Sequence, residues 1–284
     1  MARVLGSLRI DRMRALSEAC AGRTIKVFKI AWPYRHRIEA PAGCSGRVLF
    51  TIVCGSKNAT AFDRACSKGA NYAGAPMNEV GIIKMPIGNL QSVLNAVYEN
   101  GLDPVLLDPT SDMDSLTHLI MPGVGHFMAV KAQLDADGWP DKVRAFAASG
   151  RPTLGICVGM QLLATTGTEG RESPGLDLIP ARVQRLAEGN EMLRVPHVGW
   201  NSVEFTRPHP VLSGVRPGAD YYFVHSYAMQ TECSEHSLGE TVYGQRFTSI
   251  VGRDNVIGFQ FHPEKSQING LKLLDNFCNW DGKC

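Results

Sequence analysis

The stretch Pro152-Thr-Leu-Gly-Ile-Cys157-Val-Gly-Met-Gln161-Leu-Leu constrains this chain more than any other. Thr153 to Ile156 have strand character and run directly into Cys157. A helix-like run, Val158 to Ala164, follows at once. Gly155 and Gly159 flank the cysteine in a G-x-C-x-G pattern, the sulfur counterpart of a nucleophile elbow. Such a strand-to-helix turn is sharp, and only glycine neighbours leave room for it. A chain built on this turn needs a sheet beneath it and a helix packed back onto that sheet. The turn also lifts the Cys157 side chain to the top of the sheet and sets the thiol at a helix N-terminus. Unpaired N–H groups and the helix dipole favour a thiolate there. A buried structural cysteine is the plainer alternative, but the paired glycines and the strand-to-helix placement weigh against it.

A nucleophile needs a base, and Phe259-Gln-Phe-His262-Pro-Glu264-Lys-Ser266 offers one. Residues 256 to 261 are largely apolar and alternate, so His262 ends a strand. In extended chain, residues i and i+2 point the same way. Glu264 is therefore expected beside the His262 imidazole, fixing its tautomer as the third member of a triad does. A core histidine and a carboxylate favoured by the dipole of the last helix are the plain alternatives.

The surrounding pattern extends the sheet. Glu79 to Met85 reads as a buried strand and Asn89 to Asn100 as a helix, with Leu90, Val93, Leu94 and Val97 at helical spacing. Pro104 to Leu107 and Leu116 to Met121 read as strands, and Trp139 to Ala148 as a helix. This β-α-β alternation predicts an α/β fold with a mostly parallel sheet and helices on both faces. Sites in such sheets form at the carboxyl ends of strands, where Cys157 and the Pro122-Gly-Val-Gly125 loop both fall. After Pro180 the texture changes to short strands: 181–186, 194–198, 202–205, 221–229, 241–243, 248–252 and 256–261, with a hairpin turn at Arg253-Asp-Asn255. An added antiparallel layer in the C-terminal half is expected. Ser266 is expected to cap a final helix through about Trp280, with Ile268, Leu271, Leu274, Phe277 and Cys278 on its buried face.

Composition bounds the function. The chain has 284 residues, of which 44% are hydrophobic, and no apolar run approaches a membrane span. Eight cysteines are scattered without a C-x-x-C or His-x-x-x-His spacing, so neither a zinc site nor a disulfide framework is expected. A reactive thiolate suits a reducing cytosol, and a cytoplasmic location is the expectation. The absence of G-x-x-x-x-G-K-[ST] argues against ATP use, and no cofactor is expected. The net charge of +2 hides an asymmetry: residues 1–76 carry 13 Lys/Arg against 4 Asp/Glu, residues 77–284 carry 16 against 23. Residues 1–76 read as a basic extension, poorly ordered or upstream of the native start, since Met77 stands just before the first strand of residues 77–284. A basic arm also suits an organelle presequence or nucleic acid; the expectation is neither a nucleic-acid nor a membrane partner.

Taken together, Gly-Ile-Cys-Val-Gly-Met-Gln-Leu-Leu and His-Pro-Glu-Lys-Ser resemble the triad-type (class I) glutamine amidotransferases. Pro122-Gly-Val-Gly125 and Val195-Pro-His-Val-Gly-Trp-Asn201 further resemble the glutaminase subunits of imidazole glycerol phosphate synthases. The resemblance covers about residues 78 to 280. It implies a flavodoxin-like sheet and hydrolysis of L-glutamine by Cys157, His262 and Glu264. An oxyanion requires preplaced N–H donors, which the resemblance assigns to Val158 and to the loop at Val124 and Gly125. Similar enzymes hold the glutamine with residues matching Gln161, Glu169, Ser226 and Tyr227. Gln161 lies one helical turn after Cys157, on the same face. In similar proteins Asn89, His197, Trp200, Asn201 and Lys265 match positions facing a cyclase subunit, a (β/α)8 barrel that receives the ammonia in a heterodimer. His, Trp and Asn in a Gly-containing turn read as exposed interface residues, while a buried Trp200 anchoring the turn is equally compatible with the residues alone.

One departure marks the start of the domain. Lys84-Met-Pro-Ile-Gly88-Asn89-Leu90 stands where the family usually has Asp-Tyr-Gly-Met-Gly-Asn-Leu. The glutaminase chemistry is untouched by it. A paralogous glutaminase feeding another acceptor, such as an amidino-sugar, is therefore the first alternative. Another triad amidotransferase and a catalytically silent scaffold are the others.

Overall fold

A computed structural model describes residues 78–85, 89–186 and 194–284. The expectations for residues 1–76 lie outside the described residues. In chain order the elements are β1 (Val80–Ile83), α1 (Leu90–Glu99), β2 (Val105–Leu107), β3 (His118–Met121), α2 (Phe127–Ala136), α3 (Trp139–Ala148), β4 (Thr153–Ile156) and α4 (Val158–Leu162). Then follow β5 (Ala164–Gly167), β6 (Ser173–Pro174), β7 (Ile179–Arg185), β8 (His197–Phe205), β9 (Ala219–His225), β10 (Tyr227–Thr231), β11 (Ser237–Tyr243), β12 (Gln245–Arg253), β13 (Val256–Phe259) and α5 (Gln267–Cys278). Among the described residues no helix is long and apolar enough to cross a membrane.

The strands order as β2-β1-β3-β4-β13-β12-β10-β7-β5-β6, with β11 joining β12 to β8, and β8 to β9. From β2 to β13 every pairing is parallel. The C-terminal half adds antiparallel pairs, β13 with β12, β12 with β10, and β10 with β7. The parallel centre forms because β1, β3, β4 and β13 are buried at every residue, which only a sheet covered on both faces permits. Successive side chains serve opposite cores. Ile82 and Ile120 pack with α1 and α5 through Val97, Leu274 and Phe277. Ile83 and Leu119 pack with α2 and α3 through Phe127, Leu134, Trp139 and Phe146.

Several local expectations change. The helix after Cys157 ends at Leu162, and Ala164–Gly167 is strand β5 because it pairs with β7 and β6. Helix α2 was not expected; it buries Phe127, Val130 and Leu134, and the stem of Lys131 lies buried with its ammonium 2.6 Å from Asp135. The segment containing Trp200 is no turn. It is one strand, β8, paired with β9 from His197↔His225 to Val203↔Ala219, and Gly199 carries it through a φ of +136° that other residues resist. The expected strand 221–229 breaks at Ser226 into β9 and β10. Ser266 precedes α5, but its hydroxyl makes no cap. Ile268 is 75% exposed, and Leu273 takes the buried position instead.

His209 shows how the fold responds to acid. It accepts the Val211 N–H at 3.2 Å, its ring lies 4.8 Å from Trp280, and its Nε2 has no partner among the described residues. Burial pushes its pKa down to about 4. The unfolded chain then binds the extra proton below about pH 6.5, so stability is lost as pH falls from there toward 4. His209→Asn keeps an acceptor for Val211 and removes the titration. Between pH 7.5 and pH 5 it should gain about 1 kcal/mol on the native protein, after discounting for the partial exposure of the ring. Urea denaturation at the two pH values measures this.

Candidate active site

Cys157 sits between β4 and α4 with φ +55° and ψ −113°, a conformation unusual for a side-chain-bearing residue. Its N–H reaches Phe259 O at 2.7 Å and its carbonyl accepts the Gln161 N–H at 3.1 Å. Both flanking glycines are required. A Cβ on Gly155 would lie 2.7 Å from Met160 Cα, and one on Gly159 would lie 1.9 Å from Met121 O. Helix α4 thus packs directly on the backbone at the ends of β3 and β4. Gly123 is held by the same contact, since a Cβ there would meet Gly159 N at 3.0 Å. The Gly123-Val124-Gly125 loop therefore lies against the elbow, next to Val158.

His262 arrives from β13, the parallel neighbour of β4. This pairing brings together residues far apart in the chain. Its N–H reaches Tyr222 O at 2.9 Å. Nδ1 donates to Glu264 Oε1 at 2.8 Å, with both side chains almost wholly buried. Glu264 lies on a 3-10 turn, Pro263–Lys265, so the turn and not extended chain brings it to the ring. Ser266 fixes that turn: its hydroxyl donates to His262 O at 2.6 Å and accepts the Tyr222 N–H at 3.0 Å. Among the described residues His262 Nε2 has no partner within ordinary hydrogen-bond geometry, which leaves it available to the Cys157 sulfur. Burial disfavours the charged ring, yet the Cys157 sulfur and the Glu264 carboxylate overcome it and carry the pKa up to about 10. A ring held charged in this way is a proton source for a leaving amine.

Around the sulfur, the thiol points to Val224 O at 3.9 Å, and the Gln260 Nε2 lies 3.9 Å away on another side. Gln161 is buried and its Nε2 donates to Tyr227 O at 2.8 Å and to Gln260 Oε1 at 3.0 Å. Gln260 was missed in the sequence, although a fully buried amide in an apolar strand demands partners. Glu169 Oε2 accepts the Phe127 N–H at 2.6 Å and so supports the start of α2. Ser226 O accepts the Leu186 N–H at 2.8 Å, and Tyr227 pairs with Arg185. Gln161 and Tyr227 thus come together beside Cys157. For Glu169 and Ser226 the structure gives only these backbone contacts.

The expected interface residues divide. Trp200 is 49% exposed on the outer face of β8, edge-on to Tyr222 with Val198 and Val224 beside it. Lys265 is exposed, its ammonium 5.7 Å from the Tyr222 ring. Asn89 is half-buried at the start of α1, the helix that packs on the 263–265 turn. His197 is the correction. It is 2% exposed, because strand alternation turns it inward with Asn201 and Val203, opposite Trp200.

Residues 83–279 match the family described as glutamine amidotransferase class-I. The chain belongs to this class I glutamine amidotransferase family. Among curated relatives, the imidazole glycerol phosphate synthase subunit HisH of Desulfitobacterium hafniense is 43% identical over 201 residues, covering 71% of this chain and 94% of the relative. The subunit HisH 2 of Nitrobacter winogradskyi is 41% identical over 211 residues, covering 72% and 100%. A solved glutamine amidotransferase superposes with a TM-score of 0.56 at 20% identity, covering 71% of this chain and 99% of that one. At that identity the likeness speaks for the fold alone. The amidotransferase fold is the one expected, a mostly parallel sheet with helices and added antiparallel strands.

Proposed function

We propose that this amidotransferase is the glutaminase subunit of an imidazole glycerol phosphate synthase. The observation that carries the chemistry is the His262 ring, tied at Nδ1 to Glu264 and open at Nε2 toward Cys157. The Cys157 sulfur attacks the side-chain amide carbon of glutamine. Its electron pair forms the C–S bond as the carbonyl becomes an oxyanion, received by the N–H groups of Val158 and of the Val124–Gly125 loop. Collapse of that oxyanion expels the amine, which takes the Nε2 proton of His262 and leaves as ammonia. Neutral His262 then takes a proton from water, the hydroxide attacks the thioester, and glutamate departs with the thiolate restored. Gln161, Glu169, Ser226 and Tyr227 hold the amino acid end of the substrate.

The partner reading rests on the stripe of exposed Val198, Trp200 and Val224 with half-buried Tyr222, which borders the sulfur through Val224 O. Exposed aromatic and aliphatic side chains of this kind anchor interfaces. A cyclase subunit of (β/α)8 type docks there with Asn89, Trp200 and Lys265, takes up the ammonia, and forms imidazole glycerol phosphate and an aminoimidazole carboxamide ribotide. Relatives bearing the synthase-subunit name are matched over nearly their whole length.

Rescue of a histidine auxotroph lacking its own glutaminase subunit tests this function. Growth is expected with the native chain and not with Trp200→Ala, whose loss of an interface anchor should weaken partner binding by about 2 kcal/mol. Failure of the native chain to rescue, with ammonia still released from glutamine, would instead favour the paralogue serving another acceptor.

A further inference from the structure

Behind the exposed stripe, two buried histidines stand in line. His225 Nδ1 lies 2.8 Å from Tyr227 O, His225 Nε2 lies 3.0 Å from His197 Nδ1, and His197 Nε2 lies 3.3 Å from Asn201 Nδ2. We propose that His197 and His225 are positioning residues, a relay through which the strand surface at Asn201 sets the Tyr227–Gln161 wall of the glutamine pocket. The pocket itself rests on the glutaminase reading above.

The proton positions follow from one group. A carbonyl only accepts, so His225 must carry its proton on Nδ1. Its Nε2 is then an acceptor, and His197 must donate from Nδ1. His197 Nε2 is left to accept from the Asn201 amide. That amide cannot turn over without loss, because Asn201 Oδ1 accepts the Ser202 N–H at 2.9 Å while Nδ2 also donates to Val242 O at 3.0 Å. The Tyr227 carbonyl that starts the chain also receives Gln161 Nε2, and Gln161 continues through Gln260 to within 3.9 Å of the sulfur. One hydrogen-bonded line therefore runs from β8 to the nucleophile.

Packing keeps the line straight. The His197 ring is stacked between Tyr243 at 4.0 Å and Phe223 at 4.8 Å, and Phe247 lies against both histidines. His225 faces His197 and His262, which both oppose a further proton on it. Burial keeps both rings neutral, with pKa values pushed down to about 3 for His225 and about 4 for His197. A proton added to His225 would set two N–H groups against each other at 3.0 Å. Two apolar side chains would fill the same space but would carry no hydrogen bond from Asn201 to Tyr227.

The relay is tested first on the full native chain labelled with ¹⁵N-histidine. Both rings are expected as the neutral Nδ1–H tautomer from pH 5 to 8. An Nε2–H tautomer at either ring, or titration near the ordinary histidine value, overturns the proposal whatever the enzyme acts on. The second arm is glutamine kinetics with the synthase partner present. His225→Leu should raise KM about tenfold, the value of one lost buried hydrogen bond, with kcat within about twofold. His225→Asn, which returns a donor near the Nδ1 position, should recover most of it. Asn201→Leu should move the His225 ring nitrogen signals and raise KM about threefold from three links away. Equal KM in all four proteins, or signals at His225 indifferent to Asn201→Leu, would contradict the relay. Absence of glutaminase activity in the native complex would sink the functional reading and leave the tautomer result to decide the relay alone.

Discussion

Cys157→Ala should lower ammonia release from glutamine by about 10⁴-fold or more, measured with the synthase partner present. The sulfur is the atom that bonds to substrate, and no neighbouring group can replace it. Its hydrogen bonds are weak, at 3.9 Å to Val224 O and Gln260 Nε2, and it also interacts with the His262 ring. The fold should therefore survive its removal with little change in melting temperature, which separates lost chemistry from lost structure. Removing His262 as well should cost almost nothing more, because nucleophile and acid act as one unit. Residual activity above about 1% in the alanine variant would be incompatible with covalent catalysis at this position. It would also reopen the silent-scaffold alternative.

Gly159→Ala should be among the most damaging single methyl groups in the domain. The new Cβ would stand 1.9 Å from Met121 O, a backbone atom on a central strand that cannot swing aside. Either α4 lifts off the sheet or β3 shifts, and both displace the elbow. A loss of about 3 kcal/mol or more in urea denaturation is expected, at the upper end for overpacking, together with loss of glutaminase activity. Gly125→Ala makes the contrast. Nothing among the described residues lies within 4 Å of its Cβ, but φ is +110°. The cost there is backbone strain of about 1 to 2 kcal/mol, and the damage should fall on catalysis if this loop donates to the oxyanion.

Gly155 and Gly159 show why the elbow is readable from residues in order. Its constraints are local: strand, turn and helix occupy one stretch, and the glycine positions follow from the crowding they relieve. His262 and Glu264 are readable for a similar reason, although the turn that joins them is 3-10 and not extended. What distant chain decides is harder to read. Helix α2 takes its N-terminal support from Glu169, which accepts the Phe127 N–H from 42 residues away. Ser266 looks like a helix cap in sequence, yet its hydroxyl is engaged by His262 O and the Tyr222 N–H. His197 reads as exposed beside Trp200, and the error has one cause. Gly199 suggests a turn, but at φ +136° it lets a single strand continue, and alternation then buries His197. Gln260 carries a weaker signal that was there to find, an amide within an apolar strand next to the base.

The central claim is that Cys157 and His262, brought together by the β4–β13 pairing, make one sulfur reactive toward glutamine. A glutamine analogue with a chloromethyl ketone in place of its amide tests it most directly, followed by peptide mass mapping of the full chain. Of the eight cysteines, Cys157 alone should be labelled. Excess glutamine should protect it, and the rate should fall at least about tenfold in His262→Gln. Label on a different cysteine, or labelling of Cys157 that is equally fast without the imidazole, would contradict the account.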